Sequence, residues 1–226
     1  GSISPSLEVA SSLFVFSPES VPPLPDPAAD GAAVPLPSKA DLRRAALARR
    51  DALSGEARAA AAERLADLVE GLTLPAGAIV SGYWPIRSGL DPGPAMARLA
   101  ARGHALALPV ILPDGETMIF RRWRDGDDLV SAGFGLSEPG PGAEEVEPQV
   151  MLVPLAAFDR RGERIGYGKG YYDRAIARLT AKGPRFEIGV AFATQEVARV
   201  PAEPHDRRLR LILTEAGPIA PAGDTP

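Results

Sequence analysis

The sequence predicts an α/β protein with a mainly parallel sheet, on three observations. Short apolar runs flanked by glycine or proline, at Ala78–Tyr83, His104–Val110 and Val150–Leu155, have the length and borders of buried strands. Between the first two lies a helical segment that starts at Asp91-Pro92 and stops at Gly103. A strand-helix-strand order of this kind predicts a right-handed crossover and parallel pairing. A hydrophobic share of 45% suffices for a packed core, and 226 residues, against a prior of about 150 per domain, favour one large domain.

Residues 1–37 differ from the rest, with eight of the 24 prolines and no lysine or arginine. Such a stretch sustains neither helix nor central strand, so it reads as an extension outside the fold. Leu13-Phe14-Val15-Phe16 is its apolar exception, an added strand or a plug on an apolar patch, and more simply a tail that packs where it can. No basic region precedes it, so a signal peptide is not expected.

Ser38 caps a predicted helix through about Leu53, with Leu42, Ala46 and Leu53 on its apolar stripe. Ser54 caps a second, alanine-rich helix that buries Leu65, Leu68 and Val69 and ends near Gly71. Thr117–Trp123 reads as a third strand, and Val130–Pro148, thick with glycine, proline and acid, as a loop. Further strands are expected at Phe186–Phe192 and Leu209–Leu213.

Composition excludes several functions. No apolar run approaches the roughly 18 residues of a membrane span. A net charge of -4 with scattered arginines argues against nucleic acid. Without cysteine there is no disulfide, thiolate metal site or cysteine nucleophile. Two histidines make a histidine-rich metal site improbable, and His104, at a strand start, reads as structural.

The chemistry concentrates in Arg164–Arg174. Gly166, Gly168 and Gly170 allow tight turning and close approach of backbone N–H groups to an anion, and Lys169 adds a mobile positive charge. Ala175, Ile176, Ala177 and Leu179 then continue as a helix, so the loop feeds a helix N-terminus suited to phosphate, with Asp173 beside it as a magnesium ligand. Neither familiar expression fits: Tyr171 stands where a dinucleotide fingerprint needs glycine, and Gly170 where a Walker loop needs Ser or Thr. A plain glycine-rich turn with two tyrosines in the core is the alternative. The density of charged and aromatic groups in these eleven residues favours a phosphate cradle.

Phe158-Asp159, Gly162, Arg164 and Gly166 through Arg174 resemble the signature of the 5-formyltetrahydrofolate cyclo-ligase family, also called methenyltetrahydrofolate synthetases. Gly133-Phe134-Gly135-Leu136-Ser137-Glu138-Pro139 resembles its Phe-Gly-Ile-x-Glu-Pro, and Gln195, Pro201, Glu203, His205 and Asp206 follow in family order. The resemblance runs from about Lys39 to Glu215. It implies a single Rossmann-like three-layer domain over 38–216, with 217–226 as a C-terminal tail, in a cytoplasmic protein; the lack of an extended exposed apolar pattern makes a monomer the default.

By resemblance, magnesium ATP phosphorylates the formyl oxygen of 5-formyltetrahydrofolate, N10 attacks the activated carbon, and loss of phosphate leaves the 5,10-methenyl bridge. Lys39 and Arg43 match the family's phosphate-binding Lys-x-x-x-Arg, although two cations on one helical face are by spacing alone more simply solvated. Arg164, Gly166, Gly168, Lys169, Gly170, Tyr171 and Asp173 complete the expected ATP site, with Lys169, Arg164 and Tyr172 in catalytic roles. Asp173 and Asp206 are expected to hold Mg2+, and Asp206 alone is as easily a turn residue or cap. Tyr83, Tyr172 and Trp123 are expected at the folate, with core packing equally natural for Trp123.

One departure stands out. In Tyr83-Trp84-Pro85-Ile86-Arg87-Ser88-Gly89-Leu90-Asp91, Gly89 occupies the place of a family glutamate held to bind the pterin, which Asp91 or Glu138 could replace. Arg210, where the family often has an acid, has no physical account. Two other functions therefore stay open beside the ligase: a paralogue using magnesium ATP on a non-folate substrate, and a catalytically silent nucleotide-binding module that meets a partner through residues 1–37.

Overall fold

The computed structural model describes residues 34–133 and 135–221, so the predicted segment Leu13–Phe16 and most of the extension lie outside the described residues. Three helices begin as the sequence predicts. Helix α1, Lys39–Asp51, is capped by the Ser38 hydroxyl, which accepts from the Asp41 amide at 3.1 Å. Helix α2, Gly55–Glu70, is capped in the same way by Ser54 on Ala57. Helix α3, Gly93–Ala101, has Pro92 as its cap residue, and the preceding Asp91 carboxylate accepts from the Gly93 amide at 2.8 Å.

The remaining elements are β1 Val80–Ser81, β2 Leu106–Ile111, β3 Met118–Trp123, β4 Leu129–Gly133, β5 Leu136–Pro139, β6 Glu145–Val146, β7 Val150–Pro154, β8 Ala157–Phe158, β9 Arg164–Ile165, α4 Tyr171–Thr180, β10 Phe186–Val190, β11 Leu211–Thr214 and β12 Gly217–Ile219. A short 3-10 turn covers Ala193–Gln195. The main sheet has the order β12-β11-β10-β7-β1-β2-β3-β6. Its centre, β11-β10-β7-β1-β2, is parallel, and β3, β6 and β12 are antiparallel additions at the two edges.

Three expectations need correction. Strand β1 keeps two residues of the six expected, because the Ile79 amide is taken by the Gln149 side chain at 2.8 Å and Pro85 ends the ladder beyond Gly82. Val130–Pro148 is no simple loop: β4 and β5 form a hairpin with a register shift between Ser131 and Gly133, and left-handed Gly133 and Gly135 serve its turn. Gly217–Ile219, assigned to the tail, pairs with β11 as an edge strand, where Pro218 is tolerated.

Alternation along the central strands divides the core. Val150 and Leu152 join Val80, Leu106, Leu108, Ile188 and Val190 against Leu65 and Val69 of α2 and Met96 and Leu99 of α3. Met151 and Val153 join Ala107, Phe120 and Ile212 against Ala175, Ile176 and Leu179 of α4. Ala177, expected to fill between them, is exposed. Each large apolar side chain buried this way contributes about 1.5–3 kcal/mol, which seats α4 and thereby the glycine loop that precedes it.

Candidate active site

From β1 the chain crosses to β2 on one side and later returns to β7 on the other, leaving a crevice beyond the strands' carboxyl ends. A cavity of about 700 Å³ opens there, lined by Tyr83 after β1, Pro109 and Ile111 of β2, Val153 to Leu155 at the end of β7 and Val190 of β10. The glycine loop and α1 close one side of it, and the β4–β5 hairpin another.

The loop side is cationic. Arg43 Nε donates to the Gly166 carbonyl at 2.7 Å, and a Cβ on Gly168 would lie 3.8 Å from the Arg43 guanidinium. Gly168 and Gly170 have φ of 96° and 69°, which an L side chain resists, and Gly170 leaves the start of α4 without a side-chain cap. Arg174 fastens this corner by donating to the carbonyls of Lys169 at 3.0 Å and Glu116 at 2.7 Å, with its guanidinium over the Tyr171 ring. Lys169 is exposed and, among the described residues, no carboxylate pairs with it.

Two carboxylates face the same space. Asp173 Oδ1 accepts from Arg164 at 2.8 Å, and Asp206 Oδ2 from Lys39 at 3.2 Å. The Glu203 amide, donating to Asp206 at 2.8 Å, holds that carboxyl below the usual range, and Lys39 adds to the effect. Glu203 and His205 bring ligand-type atoms within 4.8 Å of Asp206 and of each other. Glu203 and Asp206 offer the hard oxygen donors that suit magnesium, and His205 a nitrogen; Glu203 and His205 are exposed and Asp206 is half-buried.

Three tyrosines form the inner wall. The Tyr83 hydroxyl donates to the Leu90 carbonyl at 2.7 Å, and the Tyr167 hydroxyl accepts from Arg50 at 3.1 Å. Tyr172 has a buried hydroxyl that meets no hydrogen-bond partner among the described residues. Burial pushes all three above the ordinary phenol pKa, so each is a neutral donor at physiological pH.

The sequence profile of the 5-formyltetrahydrofolate cyclo-ligase family matches residues 35–215, enclosing this whole constellation. The chain belongs to that family. A 5-formyltetrahydrofolate cyclo-ligase of Mycolicibacterium smegmatis is 35% identical over 187 residues, covering 78% of this chain and 93% of the relative. One from Escherichia coli K12 is 30% identical over 130 residues, 55% of this chain and 71% of the relative. Among solved structures, the Aquifex aeolicus 5,10-methenyltetrahydrofolate synthetase has a TM-score of 0.69 at 28% identity, covering 83% of this chain and 95% of its own. The Mycoplasma pneumoniae synthetase has a TM-score of 0.62 at 26% identity, with 78% and 98% covered.

Of the positions expected from the family signature, Lys39, Arg43, Tyr83, Gly89, Arg164, Gly166, Gly168, Lys169, Gly170, Tyr171, Tyr172, Asp173 and Asp206 all line the one cavity. Trp123 does not. Register pairs it with Leu106 at the start of β2, whereas Met118, paired with Ile111, reaches the crevice, so Trp123 lines a neighbouring cavity and packs on the α2–α3 core. Asp91 is likewise absent from the wall, being spent on the α3 cap.

Sequence reasoning assigned no role to four residues, although Asp159 and Gln195 are among those carrying the family resemblance. Arg50, seven after Arg43 and so on the same face of α1, is buried and holds Tyr167. Buried Gln195 donates to the Leu155 and Ala156 carbonyls, fixing the cavity floor. Asp159, 1% exposed, accepts from the Arg161 and Val200 amides at 2.9 Å and from the Arg161 guanidinium at 2.8 Å. Glu163, also buried, pairs with Arg208. Spacing could have found Arg50; the other three serve contacts that only the tertiary fold creates.

Proposed function

We propose that this cyclo-ligase family member converts 5-formyltetrahydrofolate to 5,10-methenyltetrahydrofolate with conversion of ATP to ADP and phosphate. The observation that carries the reading is one cavity with two unlike sides. Lys39, Arg43, Arg164 and Lys169 with the glycine loop supply cationic surface, and Pro109, Ile111, Met118 and Leu136 apolar surface, to the same cavity. The similarity to cyclo-ligases and methenyltetrahydrofolate synthetases agrees with this.

A formamide oxygen is a weak nucleophile, so catalysis rests on aligning it with the γ-phosphate and neutralising charge as phosphate transfers. Lys169, free to move, and Arg164, fixed by Asp173, stabilise the transferring group. Lys39 and Arg43 hold the remaining phosphates, and the Gly166, Gly168 and Gly170 backbone with the Tyr171 amide at the start of α4 cradles them. The Tyr172 hydroxyl, neutral and unpartnered, donates to the formyl oxygen or to the phosphate leaving after N10 closes the ring. No general-base triad is needed.

Asp173 and Asp206 would hold Mg2+, with Glu203 and His205 beside Asp206, and the ion would supply charge neutralisation on the ATP phosphates. Tyr83 and Tyr172 face the folate. We also read the helical flanks on both sheet faces as a Rossmann-like three-layer domain that starts near residue 38 and extends through β12. The described residues contain no helix long and apolar enough to cross a membrane. A cytoplasmic monomer that neither binds nucleic acid nor joins a membrane is the simplest biological setting.

Gly89 favours a second reading, a paralogue on the same ATP site with a non-folate substrate. Formation of the methenyl chromophore from 5-formyltetrahydrofolate, with magnesium ATP and an ATP-free control, decides between them. ATP-dependent turnover is expected. Silence of the wild type with rescue by Gly89→Glu would mean a drifted substrate pocket, and silence of both with ATP still bound would favour the paralogue.

A further inference from the structure

The cavity's carboxylates are not equivalent. Asp173 is paired with Arg164, Asp206 with Lys39, and Glu163 with Arg208. Glu138, on β5, is the fourth, and among the described residues it has no ion pair. Among the described residues its carboxylate accepts one long hydrogen bond, 3.3 Å, from the Ile111 amide to Oε2. That leaves Oε1 and most of the acceptor capacity of Oε2 available to a guest.

Its surroundings say what the guest presents. Glu138 stands on the hairpin beside Pro109 and Ile111 of β2, with Met118 and Leu136 alongside, a slot of apolar surface suited to a flat ring. A half-buried carboxylate in such a wall is costly unless a donor completes it, and among the described residues no cation does. A heterocycle carrying adjacent ring and exocyclic N–H groups matches a carboxylate with two parallel hydrogen bonds.

We propose that Glu138 holds the N–H edge of the substrate's heterocycle and is a specificity-determining residue of this site. The inference rests on the folate reading: the edge in question is the ring N–H and 2-amino group of the reduced pterin. At Gly89 there is only backbone to offer, since that position carries no side chain. Its amide is used by the Ile86 carbonyl at 3.0 Å.

The test compares Glu138→Gln with wild type by steady-state kinetics and by calorimetric binding of 5-formyltetrahydrofolate and of its 2-desamino analogue. A charge-assisted pair predicts a KM for the formyl folate raised about 10- to 100-fold in Glu138→Gln, with the KM for ATP unchanged. Wild type should prefer the aminated compound by about tenfold or more, and the variant should lose that preference, which a merely structural role would not produce. Gly89→Glu added to Glu138→Gln should recover part of the affinity, its Cβ needing the Ile86 carbonyl, 3.1 Å away, to give slightly.

An unchanged KM and an unchanged preference in Glu138→Gln would overturn the proposal while leaving the ligase intact. A wild type that binds both compounds but turns over neither would sink the ligase reading, and the preference would still decide Glu138. Failure of wild type to bind either compound would overturn both.

Discussion

Arg50 and Tyr167 are 117 residues apart in sequence, yet the Arg50 guanidinium donates to the Tyr167 hydroxyl at 3.1 Å inside the wall of the cavity. Arg50 is 3% exposed and is neutralised by Asp51, which the Ser88 hydroxyl holds as a carboxylate. The contact ties α1, the loop after β1 and the glycine loop into one piece. Arg50→Met should therefore cost about 1–3 kcal/mol, the penalty of leaving a buried hydroxyl without its partner. Chemical denaturation measures this, and the same variant should raise the KM for ATP because the loop loses its brace. Unchanged values in both would make the bond incidental.

Lys169→Ala should weaken ATP binding about tenfold or more, since the ammonium is spent on no carboxylate among the described residues. Asp173→Asn should flatten the magnesium dependence of turnover. Its pairing with Arg164 leaves Asp173 75% exposed, so the stability cost should stay within about 1 kcal/mol. ATP titrations at several magnesium concentrations, with thermal melts, check both; wild-type kinetics in the two variants would reduce the cradle to a turn.

Tyr172→Phe separates stability from function. Removing a buried hydroxyl that has no partner among the described residues relieves an unsatisfied group, so the melting temperature should hold or rise. Turnover should fall roughly 10- to 100-fold if that hydroxyl meets the reacting oxygens. Loss of stability with retained kcat would show the hydroxyl to be structural.

Alkali offers a further test. Tyr83, Tyr167 and Tyr172 have raised pKa values in the folded state, so unfolding releases protons that folding retains. Their contribution is fully present below the ordinary tyrosine value of about 10 and is lost as pH rises through the folded values. In a Tyr171→Phe background, which leaves only these three tyrosines, absorbance of ionised tyrosine should accordingly rise in step with unfolding above that pH, and an early rise from a still-folded protein would contradict the burial.

Trp123→Phe should leave the KM for the formyl folate unchanged and cost stability through lost packing alone. A raised KM would return Trp123 to the substrate.

Local chemistry was readable from the sequence because each part is settled within a few residues. Ser38 and Ser54 cap their helices by their own hydroxyls, Gly168 and Gly170 take backbone angles that other residues resist, and the short apolar runs leave buried strands as the economical solution. Family likeness added the positions of Lys39 and Asp206, far from the loop in sequence. What the chain alone left open was decided by register and long-range pairing. Trp123 faces away from the crevice because it pairs with Leu106 rather than Ile111. The β4–β5 hairpin, hidden in a glycine- and acid-rich stretch, brings Glu138 to the wall. Which carboxylates stay unpaired follows from distances between elements, and no spacing along a chain contains those distances. Sequence thus determined the glycine loop and its charges, and tertiary structure decided which side chains share the cavity, because burial and ion pairing act between segments that meet only after folding.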